Sequence, residues 1–215
     1  MKIKFQWLFV CLFCLSVGLA NAQSNWTLKT QKDGIRVYMA PVADSKVNAV
    51  KVLCEFEATP AALVAVLMDV KSCTEWVYHT KSCTLVKQNS PWDVVYHSEI
   101  NLPWPVENRD FVAHLWVTQD PKTHTIIVDG PAIPGFVAEK KGTFRIAHSK
   151  GRWVINAINS HTIAVEYTLQ VDPGGNVPAW LVNMFAAEGP IQSFKGLRLQ
   201  LQKPRYQNAR LPEEI

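Results

Sequence analysis

The stretch TIAVEYTLQVDPGGNVPAWLVNMFAAEGPIQSFKGLRLQLQ, residues 162–202, decides the fold of this 215-residue chain. Ile163, Val165, Tyr167, Leu169 and Val171 alternate with Thr162, Ala164, Glu166, Thr168 and Gln170, the period of two that a strand with two unlike faces requires. Asp172-Pro173-Gly174-Gly175 ends the alternation in a strong turn. From Pro178 to Gln202 the period becomes helical, with Leu181, Met184, Phe185, Ile191, Phe194, Leu197 and Leu201 on one broad apolar face. Gly189-Pro190 interrupts that face and predicts a kink or break.

Working outward, the preceding sequence is rich in short strands. Ile35 to Val42 and Lys46 to Glu57 read as two strands joined by a turn at Asp44-Ser45. Thr59 suits an N-cap and Pro60 the first helical position, so Ala61 to Asp69 are expected to form a short helix. Thr84 to Lys87, Val94 to Ile100, Phe111 to Thr118 and Thr123 to Val128 each fit a strand. Gly142 to His148 and Trp153 to Ile158 follow, with a turn expected at Lys150-Gly151. Strands this closely spaced imply a mostly antiparallel sheet. The class is α+β, and the last helix is the one element large enough to cover the sheet's apolar face. Periodicity does not say whether the helix fills the curl of the sheet or leaves room for a ligand.

The N-terminus reads as an address label. Lys2 and Lys4 precede an apolar run from Trp7 to Leu15, and Ala20-Asn21-Ala22 forms a small-x-small cleavage pattern. Residues 1–22 are therefore expected to be a signal peptide, and residues 23–215 a single exported domain, periplasmic or secreted. An uncleaved anchor is the alternative, though the run falls short of the ~20 apolar residues a span needs. The whole chain carries 22 Lys and Arg against 18 Asp and Glu, a net +4 that removal of Lys2 and Lys4 halves. So small a balance argues against nucleic acid as a partner. A monomer is expected.

Cys11 and Cys14 lie inside the leader and carry no redox meaning. Cys73 and Cys83 both stand in Lys-Ser-Cys-Thr tetrapeptides and are candidates for a disulfide, which would close a loop of about ten residues. Free thiols at Cys54, Cys73 and Cys83 are the alternative, and their spacing fits no zinc site.

Four segments then stand in one order. Gly34-Ile35-Arg36-Val37-Tyr38, Pro103-Trp104-Pro105-Val106-Glu107-Asn108-Arg109-Asp110-Phe111-Val112, Lys141-Gly142-Thr143-Phe144-Arg145 and Asp172-Pro173-Gly174-Gly175-Asn176-Val177-Pro178-Ala179-Trp180-Leu181-Val182-Asn183 resemble landmarks of START domains. The resemblance spans roughly residues 26–202. It implies a helix-grip fold, a curved antiparallel sheet around a long C-terminal helix, with an internal apolar tunnel for one lipid. It implies no cofactor.

If Arg109 points inward, period two sends Phe111, Ala113, Leu115 and Val117 inward as well. From the last helix Trp180, Met184 and Ile191 join the expected tunnel residues. Cholesterol-binding members of the family resemble one another in an inward Arg six positions after the Arg of this motif. Leu115 stands there instead, which favours a phospholipid or other acyl-chain lipid over a sterol. The family's omega loop maps onto about Gly130 to Lys140. Its tip carries Ile133, Pro134, Phe136 and Val137, backed by Lys140 and Lys141, a pattern suited to a gate in transient contact with an anionic membrane. The alternative is that these residues plug the tunnel.

No catalytic residues and no metal ligands are nominated. The six histidines fit no metal-ligand spacing, and no nucleophile elbow is present. His97 and Glu99 share a strand face and are placed to act as an acid–base pair, or to make cross-strand structural pairs. Glu188 is expected to face solvent. Two rival readings remain: an enzyme of polyketide cyclase or aromatase type, which needs polar groups deep in its pocket, and a scaffold or sensor that uses lipid as filling.

Overall fold

The computed structural model describes residues 26–211 except 44, 46 and 176, and not the side chains of Ala179, Trp180, Asn183 and Met184. The expected leader therefore lies outside the described residues. Ten strands form one sheet: β1 Thr27–Lys32, β2 Ile35–Ala40, β3 Ala49–Glu57, β4 Thr80–Ser90, β5 Asp93–Ile100, β6 Asn108–Gln119, β7 Ile126–Pro131, β8 Thr143–Arg145, β9 His148–Ala157 and β10 Thr162–Asp172. Among the described residues three helices accompany it: α1 Pro60–Met68, α2 Ala179–Leu201 and the single turn α3 Pro204–Gln207. The strand order is β1-β2-β3-β10-β9-β7-β6-β5-β4 and every neighbour in it is antiparallel, while β8 lies parallel to β6. β10 bonds on both sides, with Leu169 opposite Val50 of β3 and Gly151 of β9.

α1 begins where its cap predicts. The Thr59 hydroxyl accepts from the Ala62 amide at 3.2 Å, and Pro60 occupies the first turn, where its missing N–H is no loss. β1 was not expected. TLKTQK has no apolar alternation and lies mostly exposed, so pairing with β2, not burial, holds it at the sheet edge.

Three expectations need correction. Lys150-Gly151 is no turn: β9 runs straight through it, pairing Lys150 with Gln170 and Pro131. A Cβ at Gly151 would make only ordinary contact with the Tyr167 hydroxyl at 3.5 Å, so this glycine is an ordinary strand residue in the cavity wall. The strand expected from Gly142 to His148 shrinks to Thr143–Arg145. Finally, α2 continues through Pro190 without interruption. Proline removes one hydrogen bond from a helix of 23 residues, and packing along its length outweighs that local loss.

The helix divides the interior into two parts. Its C-terminal half is sealed: Phe194, Leu197 and Leu201 pack among Phe56, Leu63, Leu67, Ile155 and Ile163. Phe194 stacks on Phe56 at 6.0 Å and on Trp153 at 5.5 Å between ring centres. Gly196 lets the helix approach the 3₁₀ turn Val70–Glu75 and the residue after it, because a Cβ there would stand 2.9 Å from both Cα and O of Trp76. Gly→Ala in a helix ordinarily stabilises by about 1 kcal/mol. Here overpacking against rigid backbone is expected to win, and Gly196→Ala should destabilise by roughly 1–3 kcal/mol in denaturant unfolding. A stabilised variant would refute this close packing.

Candidate functional site

The N-terminal half of α2 covers a cavity of about 360 Å³. Its wall takes Met39 from β2, Val50 from β3, Tyr167 from β10, Trp153 from β9, Gly130 from β7, Phe111 from β6, Tyr96 from β5 and Thr80 from β4. A flat sheet would set the outermost of these strands roughly 30 Å apart at about 4.8 Å per strand. One cavity touching all eight means that the sheet is curled around it, as its accumulated twist allows. Leu181, Val182, Phe185, Ala186, Gly189 and Pro190 of α2 form the roof.

Arg109, Phe111 and Leu115 line the cavity. Ala113 and Val117 do not, although both are buried on the same strand. Ala113 lies opposite Tyr96, whose ring stands edge-on to Phe111 at 5.7 Å and takes that part of the wall. Val117 lies further along β6 and belongs to the sealed core with Val94, Ile126 and Val128. Ile191 likewise faces that core, one helical position beyond the roof. The side chains of Trp180 and Met184 lie outside the described residues. Period two places all five residues on one face of β6. Where along that face the packed core gives way to a cavity depends on neighbouring elements.

The described residues of the cavity wall include no carboxylate and no imidazole. Burial pushes the phenols of Tyr96 and Tyr167 well above their ordinary range, so both keep their protons. The indole Nε1 of Trp76, a wall residue, is buried without an acceptor among the described residues. Arg109 is 5% exposed and donates to the carbonyls of Glu107, Pro173 and Gly174 at 2.6, 3.4 and 3.3 Å. Its guanidinium also lies over the Phe144 ring at 5.4 Å. Desolvation lowers its pKa, and Glu107 offsets that only in part. The turn it meets requires glycine at 174: φ is +61°, and a Cβ would fall 2.0 Å from the Phe144 ring.

A second, open cleft of about 1000 Å³ adjoins the cavity. Val47, Ser149, Val171, Pro173, Val177 and Val182 line both, so the cleft is the cavity's mouth. It is more polar, with His148, Lys150, Gln170 and Asp172 on its wall.

The opposite face of β5 and β6 is charged. The buried Asp110 carboxylate accepts from His97 Nε2 at 2.8 Å and from Arg145 Nε and Nη2 at 2.8 and 2.9 Å. Glu99 accepts from Lys81 at 2.7 Å and Asn108 at 3.0 Å. His97 and Glu99 therefore make separate cross-strand contacts, away from the cavity. Arg145 also donates to the carbonyls of Val137 and Ala138 at 3.0 and 3.3 Å, and Lys140 stands 3.7 Å from Glu99. The segment from Ile133 to Lys140 is thus latched to the outside of the sheet. Pro134 and Phe136 are exposed there and Ile133 and Val137 half-buried. None of the four lines the cavity, so they do not plug it. Glu188 is exposed and accepts from Gln192 Nε2 at 3.4 Å.

Burial raises the Asp110 pKa, but the hydrogen bonds from Arg145 and His97 outweigh that and hold it below the usual range. A carboxyl depressed on folding contributes stability above its unfolded value of about 3.9, and that contribution is lost as the pH falls. Asp110→Asn is expected to cost about 3 kcal/mol at pH 7 by leaving Arg145 unpaired. Urea unfolding at pH 7 and pH 3 should show that deficit narrowing in acid. An equal deficit at both would mean that the charge is not what Asp110 contributes.

Cys73 and Cys83 are free thiols in the structure. Interaction with Cys83, together with burial, raises the Cys73 thiol, while interaction with Cys73 lowers that of Cys83 against the opposing effect of its own burial. The expected bridge is thus an adjacency here, and its formation would require oxidation.

Comparison with known proteins agrees with this geometry. The START domain family model matches residues 15–206. An uncharacterised Pseudomonas aeruginosa protein is 32% identical over 179 residues, 83% of this chain and 88% of that protein. Bovine phosphatidylcholine transfer protein is 28% identical over 172 residues, 76% of this chain and 78% of that one. Among solved structures, a STAR-related lipid transfer protein fragment from Xanthomonas axonopodis superposes with a TM-score of 0.75 at 28% identity, covering 83% of this chain and 99% of that one.

Proposed function

Since the chain belongs to the START domain family, we propose that it binds one acyl-chain lipid in the cavity beneath α2 and carries it between membranes, as a monomer outside the cytoplasm. The apolar wall carries this reading. Removing acyl surface from water supplies about 25 cal/mol per Å², and a lipid needs only a few polar contacts for orientation. Trp76 Nε1 offers one such contact to a ligand oxygen. A proton-moving enzyme in this fold would need an acid or base held near neutrality, and the tyrosines of the wall do not fit that role. Leu115 on the wall supports an acyl chain over a sterol, since it places no charge where a sterol hydroxyl would need one.

The protein, purified gently from its own host, should yield one lipid per chain on extraction and mass spectrometry. Repeated recovery without any apolar ligand would overturn the proposal. Transfer requires docking. Phe136 is exposed beside Lys140, and Trp104, 92% exposed, adds a second surface aromatic of the kind that favours the lipid interface. Phe136→Asp should slow transfer between anionic vesicles several-fold and leave the fold intact; an unchanged rate would exclude this segment from docking. Export is supported by the residue pattern before Gln23. A mature chain isolated with Met1 still present would exclude cleavage.

A further inference from the structure

Arg109 carries a charge that no carboxylate balances among the described residues: its contacts are three backbone carbonyls and the face of the Phe144 ring. A guanidinium has five N–H donors, and three hydrogen bonds to carbonyls account for three of them. Two of those bonds, at 3.4 and 3.3 Å, lie beyond the usual N–H···O range. Among the described residues no carboxylate forms an ion pair with it, and Glu107, the one acid acting on it, is exposed. Pinning the Asp172–Gly175 turn would need only a neutral donor. A buried guanidinium without a counter-ion is unfavourable, so its retention here calls for a second role.

Its position supplies one. Arg109 lines the cavity, and Pro173, whose carbonyl it meets, also lines the open mouth. The guanidinium therefore stands where the apolar cavity passes into the polar cleft. That is where an amphiphile with its tail inside would place its headgroup. Lys150 and His148 lie on the cleft wall beyond. Asp172, the carboxylate of that wall, has one oxygen engaged by the Gly174 amide at 2.9 Å.

Resting on the reading of the cavity as a lipid site, we propose that Arg109 is the headgroup anchor for an anionic amphiphile, pairing with a carboxylate or phosphate at the cavity mouth. The guanidinium fork suits the two oxygens of either group. A water-sized group occupies about 30 Å³, so 360 Å³ holds on the order of a dozen methylenes, and single-chain probes are the appropriate ones.

Trp76 and Trp153 stand in the cavity wall, so their fluorescence reports occupancy. Palmitate, palmitoyl lysophosphatidic acid, methyl palmitate and palmitoyl lysophosphatidylcholine would be titrated below their micelle concentrations into the wild-type full mature chain and into Arg109→Gln. The wild type should bind palmitate, lysophosphatidic acid or both about tenfold or more tighter than the ester and the zwitterion. Preference between the two acids separates carboxylate from phosphate. Arg109→Gln should lose that advantage and still bind the ester. Equal wild-type affinities for acid and ester would overturn the proposal without reference to any variant. Arg109→Gln weakening all four alike would also overturn it, assigning Arg109 to structure alone. Failure of every probe in the wild type would instead remove the lipid-cavity reading on which the proposal rests.

Discussion

Ala186→Trp is expected to abolish lipid retention while the protein stays folded. Ala186 sits in the cavity roof, nearly enclosed, on a face of α2 that also carries Val182, Phe185 and Gly189. An indole there enters the space an acyl chain would occupy, and its apolar surface, of order 200 Å², gains burial on folding. Overpacking opposes that gain by about 1–3 kcal/mol, so the net change in stability should be small. Affinity for an acyl probe should fall by about three orders of magnitude, because roughly half of a dozen-methylene chain loses its place and each buried methylene is worth about 0.8 kcal/mol. Titration by intrinsic fluorescence beside a thermal melt separates the two effects. A folded variant with wild-type affinity would place the ligand elsewhere.

Phe194→Ala should have the opposite profile. Phe194 is 2% exposed and stacked between Phe56 and Trp153, with Tyr167 at 6.2 Å. It lies where the cavity ends and the sealed core begins. Truncation removes the ring's transfer energy and leaves a void next to an existing one, so collapse around it is limited. The expected loss is about 3–5 kcal/mol in denaturant unfolding, a large share of the ~5–15 kcal/mol that holds a typical domain together. A loss below 1 kcal/mol would mean that the aromatic cluster does not unite helix and sheet. Together the two variants test the division of α2 into a half that roofs the ligand and a half that secures the fold.

How much of this was legible beforehand differs by element. Ile163 to Val171 announced β10 by period two, and Thr59-Pro60 announced α1 by its cap, because each signal is local. β1 gave no such sign, since an exposed edge strand needs partners rather than a pattern. Lys150-Gly151 looked like a turn because glycine in sequence does not distinguish a bend from a strand residue paired on both sides. Pro190 looked like a break because the packing that keeps α2 helical comes from residues far away in the chain.

The site follows the same rule. Order of landmarks was enough to name the fold, and alternation within β6 put Arg109, Phe111 and Leu115 on one face of that strand. Residues 162–202 by themselves specified a strand, a turn and an amphipathic helix, and with the strands before them an α+β fold. Only the tertiary structure decided that the helix both fills and roofs the sheet, that Ala113, Val117 and Ile191 belong to solid packing, and that Arg109 stands at a mouth with no counter-ion among the described residues. The physical reason is that periodicity encodes which side of an element is apolar. Whether that side meets another side chain or a ligand depends on the distance between elements, which curvature and packing set.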